Sequence, residues 1–298
     1  MKLSTFTSPF DGLSLSVAIT EPTDAPKAII QISHGMAEHK ERYFPFMEYL
    51  SNNGYVCVIH DHRGHGGSVK SNQDYGYFYT ENICAIVDDL HAVTLMIKAQ
   101  YPNLPLYLFS HSMGTLVARN YLKNYDNEIC KVVLCGPPTE NKAVNIGLFL
   151  AKHSSKREKI CPNQFLNNMA FKSFNKGYTT PNAWLSENPG NVLAYNADPL
   201  CGFVFTTNGF INLLTLQKEA FCADNWHPTN PQLPILVMAG QDDPVIISVN
   251  KFKELLSFLS KVGYGNIQSK LYENKRHEIL NEANRYEIFE DVRHFFDK

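Results

Sequence analysis

Apolar and polar positions alternate at the start of the chain and then gather into short apolar runs. Residues 2–7 and 13–20 alternate on either side of Asp11-Gly12, the pattern of an antiparallel hairpin. Residues 27–33, KAIIQIS, form the first run with the character of a buried strand. A helix is expected next, through Leu50 and closed by Gly54, and then a strand over Tyr55–His60. Thr80 is placed to cap the following helix, whose Ile83, Ile86, Val87, Leu90, Val93 and Ile97 keep the helical period. Residues 106–109 and Lys131–Cys135 read as two further strands, with a helical stretch carrying Leu116, Val117 and Ala118 between them. The rhythm breaks between Gly136-Pro137-Pro138 and about Pro228 and resumes at 234–239. A helix with Phe252, Leu255, Leu256, Leu259 and Val262 on one face follows, then a strand at 267–272 and a final helix with Ile288, Phe289, Val292, Phe295 and Phe296.

Strands alternating with helices predict an α/β protein, a mostly parallel sheet with helices on both faces. The interruption reads as an inserted, mainly helical cap over 137–227, so that 1–136 and 228–298 form the core. A hydrophobic content of 44% supports such a core without metals or disulfides. A net charge of −2 gives no electrostatic case for a nucleic-acid partner. The seven cysteines are odd in number and show no CxxC or Cys/His metal spacing, so no metal or other cofactor is expected and a reducing, cytoplasmic setting is. The first residues lack a signal-like apolar segment, and no run approaches the roughly 18 apolar residues of a membrane span.

The chemistry centres on Ser110-His111-Ser112-Met113-Gly114, set between a strand and a helix. That is the setting of a nucleophile elbow, whose small flanking residues let strand and helix approach while the nucleophile is held strained. The first small position is Ser110 where the usual pattern has Gly. A serine hydroxyl needs a base, and the base needs a third group to orient it. Asp242 and Asp243 follow the resumed strand, and His277 follows the last one, in the order Ser, acid, His. All three positions lie at carboxyl ends of strands, where sites form in open α/β sheets. Spacing alone leaves Asp242 and Asp243 as alternatives. His294, the other histidine after the acid, sits inside the final helix and reads as solvated. An oxyanion hole is expected from the backbone N–H groups of Met113 and of Met36, the latter in the His34-Gly35-Met36 turn after the third strand.

Five stretches carry a resemblance. His34 to His39 with Arg42-Tyr43 resembles HGxGEHxxRY, and Asp61 to Ser68 resembles DxxGHGxS. Ser110 to Gly114 resembles GHSMG, Gly240 to Asp243 an acid loop, and His277 to Glu282 the segment H-x-x-x-x-E. Together they resemble the monoacylglycerol lipase and lysophospholipase branch of the α/β-hydrolases, often labelled with the serine aminopeptidase family. The resemblance implies an eight-stranded α/β-hydrolase fold with a cap, and hydrolysis of esters of single-chain lipids or related acyl esters. It also implies Asp243 as the acid, three residues after Gly240. It does not extend through 137–227, and it departs at Ser110 and Ala37, where the family carries Gly. His34, His39, Arg63 and His65 match motif positions and read as groups that brace loops.

In the cap, Leu148, Phe149, Leu150, Phe203, Phe205, Phe210 and Leu213 are candidates for an acyl tunnel, or for the cap's own core. Lys152, Lys156, Arg157 and Lys159 form a basic patch, which allows at most peripheral membrane contact and otherwise is a solvated face. The leading reading is a serine ester hydrolase acting through Ser112, His277 and Asp243. The alternatives are a peptidase releasing N-terminal residues, which would need an acidic site in the cap for the substrate amine (Glu187 and Asp198 are present there, with nothing in the sequence to assign them to it), and a non-catalytic binding module on the same fold.

Overall fold

The computed structural model describes residues 1–153 and 159–298. Eight strands form one sheet in the order β1-β2-β4-β3-β5-β6-β7-β8. They are β1 (Lys2–Thr7), β2 (Ser14–Thr20), β3 (Ala28–Ser33), β4 (Tyr55–His60), β5 (Leu106–His111), β6 (Lys131–Cys135), β7 (Ile235–Gly240) and β8 (Ile267–Tyr272). The hairpin β1–β2 is antiparallel, β2 also pairs antiparallel with β4, and the strands from β3 to β8 pair in parallel. β3, β4 and β7 are buried along their whole length, which is why they read as continuous apolar runs.

Two hydrophobic layers cover the sheet. On one face lie α1 (Phe44–Asn52) and α9 (Arg285–Asp297), with Phe46, Met47, Leu50, Ile288, Phe289 and Val292 buried. On the other lie α2 (Cys84–Gln100), α3 (Met113–Tyr125) and α8 (Val249–Lys261), contributing Leu90, Leu116 and Leu255 among others. After β3 the chain crosses to β4 and then returns past β3 to β5. That reversal opens a crevice at the carboxyl ends of β3 and β5, the place where ligands bind in such sheets.

Thr80 does not cap α2. The helix starts at Cys84, whose N–H is accepted by Asn82 Oδ1 at 3.0 Å, while Thr80 Oγ1 accepts the Asn82 N–H at 3.1 Å. The asparagine side chain, two residues before the helix, takes the donor that a cap would take.

Between β6 and β7 run α4 (Val144–Lys152), α5 (Gln164–Phe171), α6 (Pro189–Ala197) and α7 (Thr207–Ala220). This excursion is not packed on itself alone. Leu148, Leu166, Phe210 and Leu216 belong to the same apolar cluster as α3, and Asn120 Nδ2 on α3 donates to Leu216 O at 3.0 Å. Arg119 fastens its two ends. The buried guanidinium donates to Pro138 O at 2.9 Å and lies 4.9 Å from the ring of Phe221. With carbonyls and a ring around it, burial pulls its pKa down to about 9.

His34, His60, His62 and His65 gather under the loops after β3 and β4, fully buried, with His34 and His62 rings 4.4 Å apart and His60 and His62 4.9 Å apart. Burial lowers all four, His34 and His60 to about 4 and His65 to about 3. Two of them hold loop amides as acceptors: His34 Nε2 accepts the His62 N–H at 2.9 Å, and His65 Nε2 accepts the Ala37 N–H at 3.2 Å. Below the unfolded value of 6.5 the unfolded chain takes up protons that the folded chain refuses. Their stabilising contribution is complete above pH 6.5 and is lost as pH falls toward 4. For His34, His60 and His65 a depression of this size is worth on the order of 3 kcal/mol per group, so together they are comparable with the stability of a whole domain, roughly 5–15 kcal/mol. The urea midpoint is therefore expected to fall steeply as pH drops from 6.5 toward 4. A midpoint that stays constant down to pH 4 contradicts this assignment of neutral buried histidines.

Candidate active site

Ser112 stands between β5 and α3 with φ 52° and ψ −120°, a conformation that L residues rarely adopt. Its N–H is tied to Cys135 O of β6 at 3.0 Å. Gly114 permits this turn, because a Cβ there would run into the carbonyl oxygens of Ser33 and His34. Ser110, in place of the usual Gly, is buried and donates its hydroxyl to Val133 O at 2.8 Å. The extra atoms are absorbed by the neighbouring strand, so the turn keeps its shape.

The loop after β3 presents three successive amides. Gly35 N–H goes to Glu38 Oε1 at 2.5 Å and Ala37 N–H goes to His65. Met36, between them, lines the same cavity as Ser112, and so does Met113. Met113 is the first residue of α3, so its N–H has no acceptor within the helix. Ala37 has φ 51°, which explains why a glycine suits this position. Here the strained backbone is held by its own carbonyl, which accepts Gly202 N–H at 2.9 Å and Tyr195 O–H at 3.0 Å.

The carboxylate that meets His277 is that of Asp243. Its Oδ2 lies 2.8 Å from His277 Nδ1 and its Oδ1 accepts the Val245 N–H at 2.8 Å. Asp243 and His277 are both buried, whereas Asp242 is exposed and joins the loop through its backbone N–H to Lys275 O at 3.0 Å. Gly240 lets β7 abut the His277 loop, since a Cβ there would collide with the carbonyls of Lys275 and Arg276.

A buried charge network, not foreseen from the sequence, ties these loops together. Arg42 donates to Glu38 Oε2 at 2.7 Å and to both oxygens of Glu278 at 2.6 Å. Glu38 also accepts from Tyr43 O–H at 2.8 Å and lies 3.3 Å from His111 Nδ1, while Glu278 accepts from Asn191 at 2.7 Å. Burial alone would raise both carboxyls, but His111 and Arg42 beside Glu38, and Arg42 beside Glu278, hold them below the ordinary range. Burial opposes charge on His111 too, yet its hydrogen bond to Glu38 outweighs this and raises its pKa. His111 Nε2 in turn sits 3.3 Å from His277 O.

His39 forms a separate latch. Its Nδ1 faces Glu41 and its Nε2 lies 2.9 Å from Asp198 Oδ2, and Cys201 is near enough for the three side chains' donor atoms to fall within 4.8 Å of one another. Burial disfavours a charged His39, but the two carboxylates raise its pKa, so an imidazolium between two acids accounts for the cluster without a metal.

A cavity of about 510 Å³ opens over Ser112 and His277. Of the proposed tunnel residues, Phe203, Phe210 and Leu213 line it. Leu148 and Phe205 are buried in the core, and Phe149 and Leu150 face outward. Lys159 of the basic patch pairs with Glu81 at 2.7 Å and Lys152 is exposed, while Lys156 and Arg157 lie outside the described residues.

The parallel sheet, its two helical layers and the strained serine at the end of β5 define an α/β-hydrolase. The fold is similar to that of a thermostable carboxyl esterase from Bacillus coagulans, with a TM-score of 0.90 and 24% identity over 99% of this chain and 97% of that one. In sequence the chain is 24% identical over 288 residues to a monoacylglycerol lipase of Mycolicibacterium smegmatis, covering 94% of this chain and 92% of that one. It is 30% identical over 190 residues to human monoglyceride lipase, covering 64% of this chain and 57% of that one. Residues 24–284 match the family described as serine aminopeptidase, S33, and the chain belongs to that family.

Removing Arg42 leaves two carboxylates buried face to face. Arg42→Met is expected to cost about 3–5 kcal/mol in urea unfolding, the usual loss when one member of a buried ion pair is removed. Adding Glu38→Gln and Glu278→Gln should restore part of it. A loss below about 1 kcal/mol for Arg42→Met contradicts the clamp.

Proposed function

We propose that this chain is a serine ester hydrolase acting on carboxylic esters of single-chain lipids, of the monoacylglycerol lipase, lysophospholipase or carboxylesterase type. The observation that carries the reading is the 2.8 Å bond from Asp243 to His277 on the same sheet edge as the strained Ser112, all beneath one largely apolar cavity. Asp243 fixes the tautomer with the proton on Nδ1 of His277, leaving Nε2 as the base. His277 takes the Ser112 proton, Ser112 attacks the acyl carbonyl, and the N–H groups of Met36 and Met113 receive the oxyanion. The proton then passes from His277 to the departing alkoxide, and an acyl-serine remains. Water deprotonated by His277 attacks it, releasing the acid and regenerating the serine.

Residues 137–227 act as the cap in this reading, with Leu116, Val144, Leu213 and Leu214 offering an aliphatic wall to the acyl chain. Exposed Ile146, Phe149 and Phe165 support peripheral contact with a lipid surface, and no described helix is long and apolar enough to cross a membrane. The cysteine content supports a cytoplasmic location. The ester reading is favoured over an aminopeptidase because the cap acids Glu187 and Asp198 are already ion-paired, with Arg276 at 2.5 Å and His39 at 2.9 Å.

A p-nitrophenyl ester series from acetate to palmitate tests the reading. Wild type is expected to turn over the series with a preference beyond acetate. Ser112→Ala should lower kcat/KM by at least about 10³ and Asp243→Asn by about 10⁴, with Asp242→Asn within about twofold of wild type. Folded wild type that hydrolyses no ester would overturn the proposal in favour of the peptidase or binding-module reading.

A further inference from the structure

We infer that Trp184 walls the leaving-group side of the site and selects the alcohol half of the ester; this rests on the ester-hydrolase reading. The indole lies 5.4 Å from the His277 ring at a tilt of 38°, and Phe174 packs edge-on behind it at 5.1 Å. Trp184 lies in a tight 3₁₀ turn, Ala183–Leu185, entered through Asn182 in the left-handed conformation.

That turn is fastened to both chain neighbours of His277. Arg276 donates to Ala183 O at 2.6 Å and to Ser186 O at 3.1 Å, and the Glu278 N–H donates to Leu185 O at 2.7 Å. Just beyond, Glu187 N–H goes to Glu282 at 3.0 Å and Asn188 Nδ2 to Asn281 O at 3.0 Å. Although they belong to the β6–β7 excursion, residues 183–188 are therefore stitched to the base. They form a fixed wall and not a moving lid.

The mechanism identifies which half of the substrate meets this wall. His277 Nδ1 is committed to Asp243, so its other nitrogen must hand a proton to the alcohol oxygen as the alcohol leaves. A side chain laid against the imidazole thus borders the alcohol. The two walls also differ in chemistry. Leu116, Val144, Leu213 and Leu214, with Phe203 and Phe210, give the acyl chain an apolar lining, whereas Trp184 packs on Phe174, and the polar Asn175 and Asn182 line the same cavity. An indole face stacks on a ring or on the C–H face of a polyol, and methanol offers it nothing comparable.

The experiment compares octanoate esters of methanol, glycerol and benzyl alcohol in wild type, Trp184→Ala, Trp184→Phe and Trp184→Leu, the last keeping apolar bulk if alanine does not fold. The alanine or leucine variant should lower kcat/KM for the glyceryl and benzyl esters at least about tenfold relative to the methyl ester. Trp184→Phe should stay within about threefold, and the acyl chain-length optimum should not move. An equal loss on all three alcohols overturns the inference and reduces Trp184 to a support of His277. A shifted chain-length optimum overturns it by putting Trp184 on the acyl side. Failure of wild type on every ester would instead defeat the hydrolase reading itself.

Discussion

The site depends on one guanidinium. Arg42 lies largely buried between Glu38, on the loop after β3, and Glu278, the residue after His277. Two carboxylates against one cation leave an uncompensated negative charge in a low-dielectric interior, where such a charge is costly. The structure answers it with His111, the residue before Ser112, whose pKa is raised by Glu38 against the pull of burial. The loop after β3, the Ser112 turn and the His277 loop are thereby joined by one ionic network, with Tyr43 and Asn191 taking remaining lone pairs. Breaking any member exposes the others to desolvation with no partner, so the three loops are fixed as a unit.

Strain is held in the same region. Ser112 and Ala37 both have positive φ, and each is pinned by backbone bonds from neighbours: Ser112 to Cys135, Ala37 to Gly202 and Tyr195. A strained residue persists only where its surroundings over-determine it. The neutral histidines beneath serve the same end, since His65 fixes the Ala37 amide and His34 the loop after β4. The polar interior here shapes loops, and the apolar layers on both faces of the sheet supply the stability that tolerates it.

Much of this was legible in the sequence. The first two strands announced themselves by alternation and the inner ones as short apolar runs, and the elbow lay where a strand gives way to a helix. Ser110 departed from the pattern harmlessly because its hydroxyl finds Val133 O, an acceptor that only the folded sheet supplies. The Asp242/Asp243 ambiguity was real at the level of spacing, and geometry separates them because one faces His277 and the other faces solvent. Pairings across long stretches of chain were not legible. Arg42 and Glu278 are 236 residues apart, and nothing local marks them as partners, although both stood inside quoted motifs. Trp184 was hidden in a segment without strand rhythm, and its only signal was to be one of two tryptophans in the chain. Asn82, not Thr80, holds the start of α2, because the Thr80 hydroxyl is used on the Asn82 N–H and the Asn82 side chain takes the Cys84 N–H.

The most direct measurement is covalent labelling with a fluorophosphonate, followed by peptide mass spectrometry. An activated serine displaces fluoride and keeps the phosphonyl group, whereas an ordinary serine hydroxyl does not react. A single adduct on Ser112, lost in His277→Ala while the fold is retained, is the result expected of a serine activated by His277. An adduct on another serine, or ester turnover that continues with Ser112 unlabelled, would contradict it.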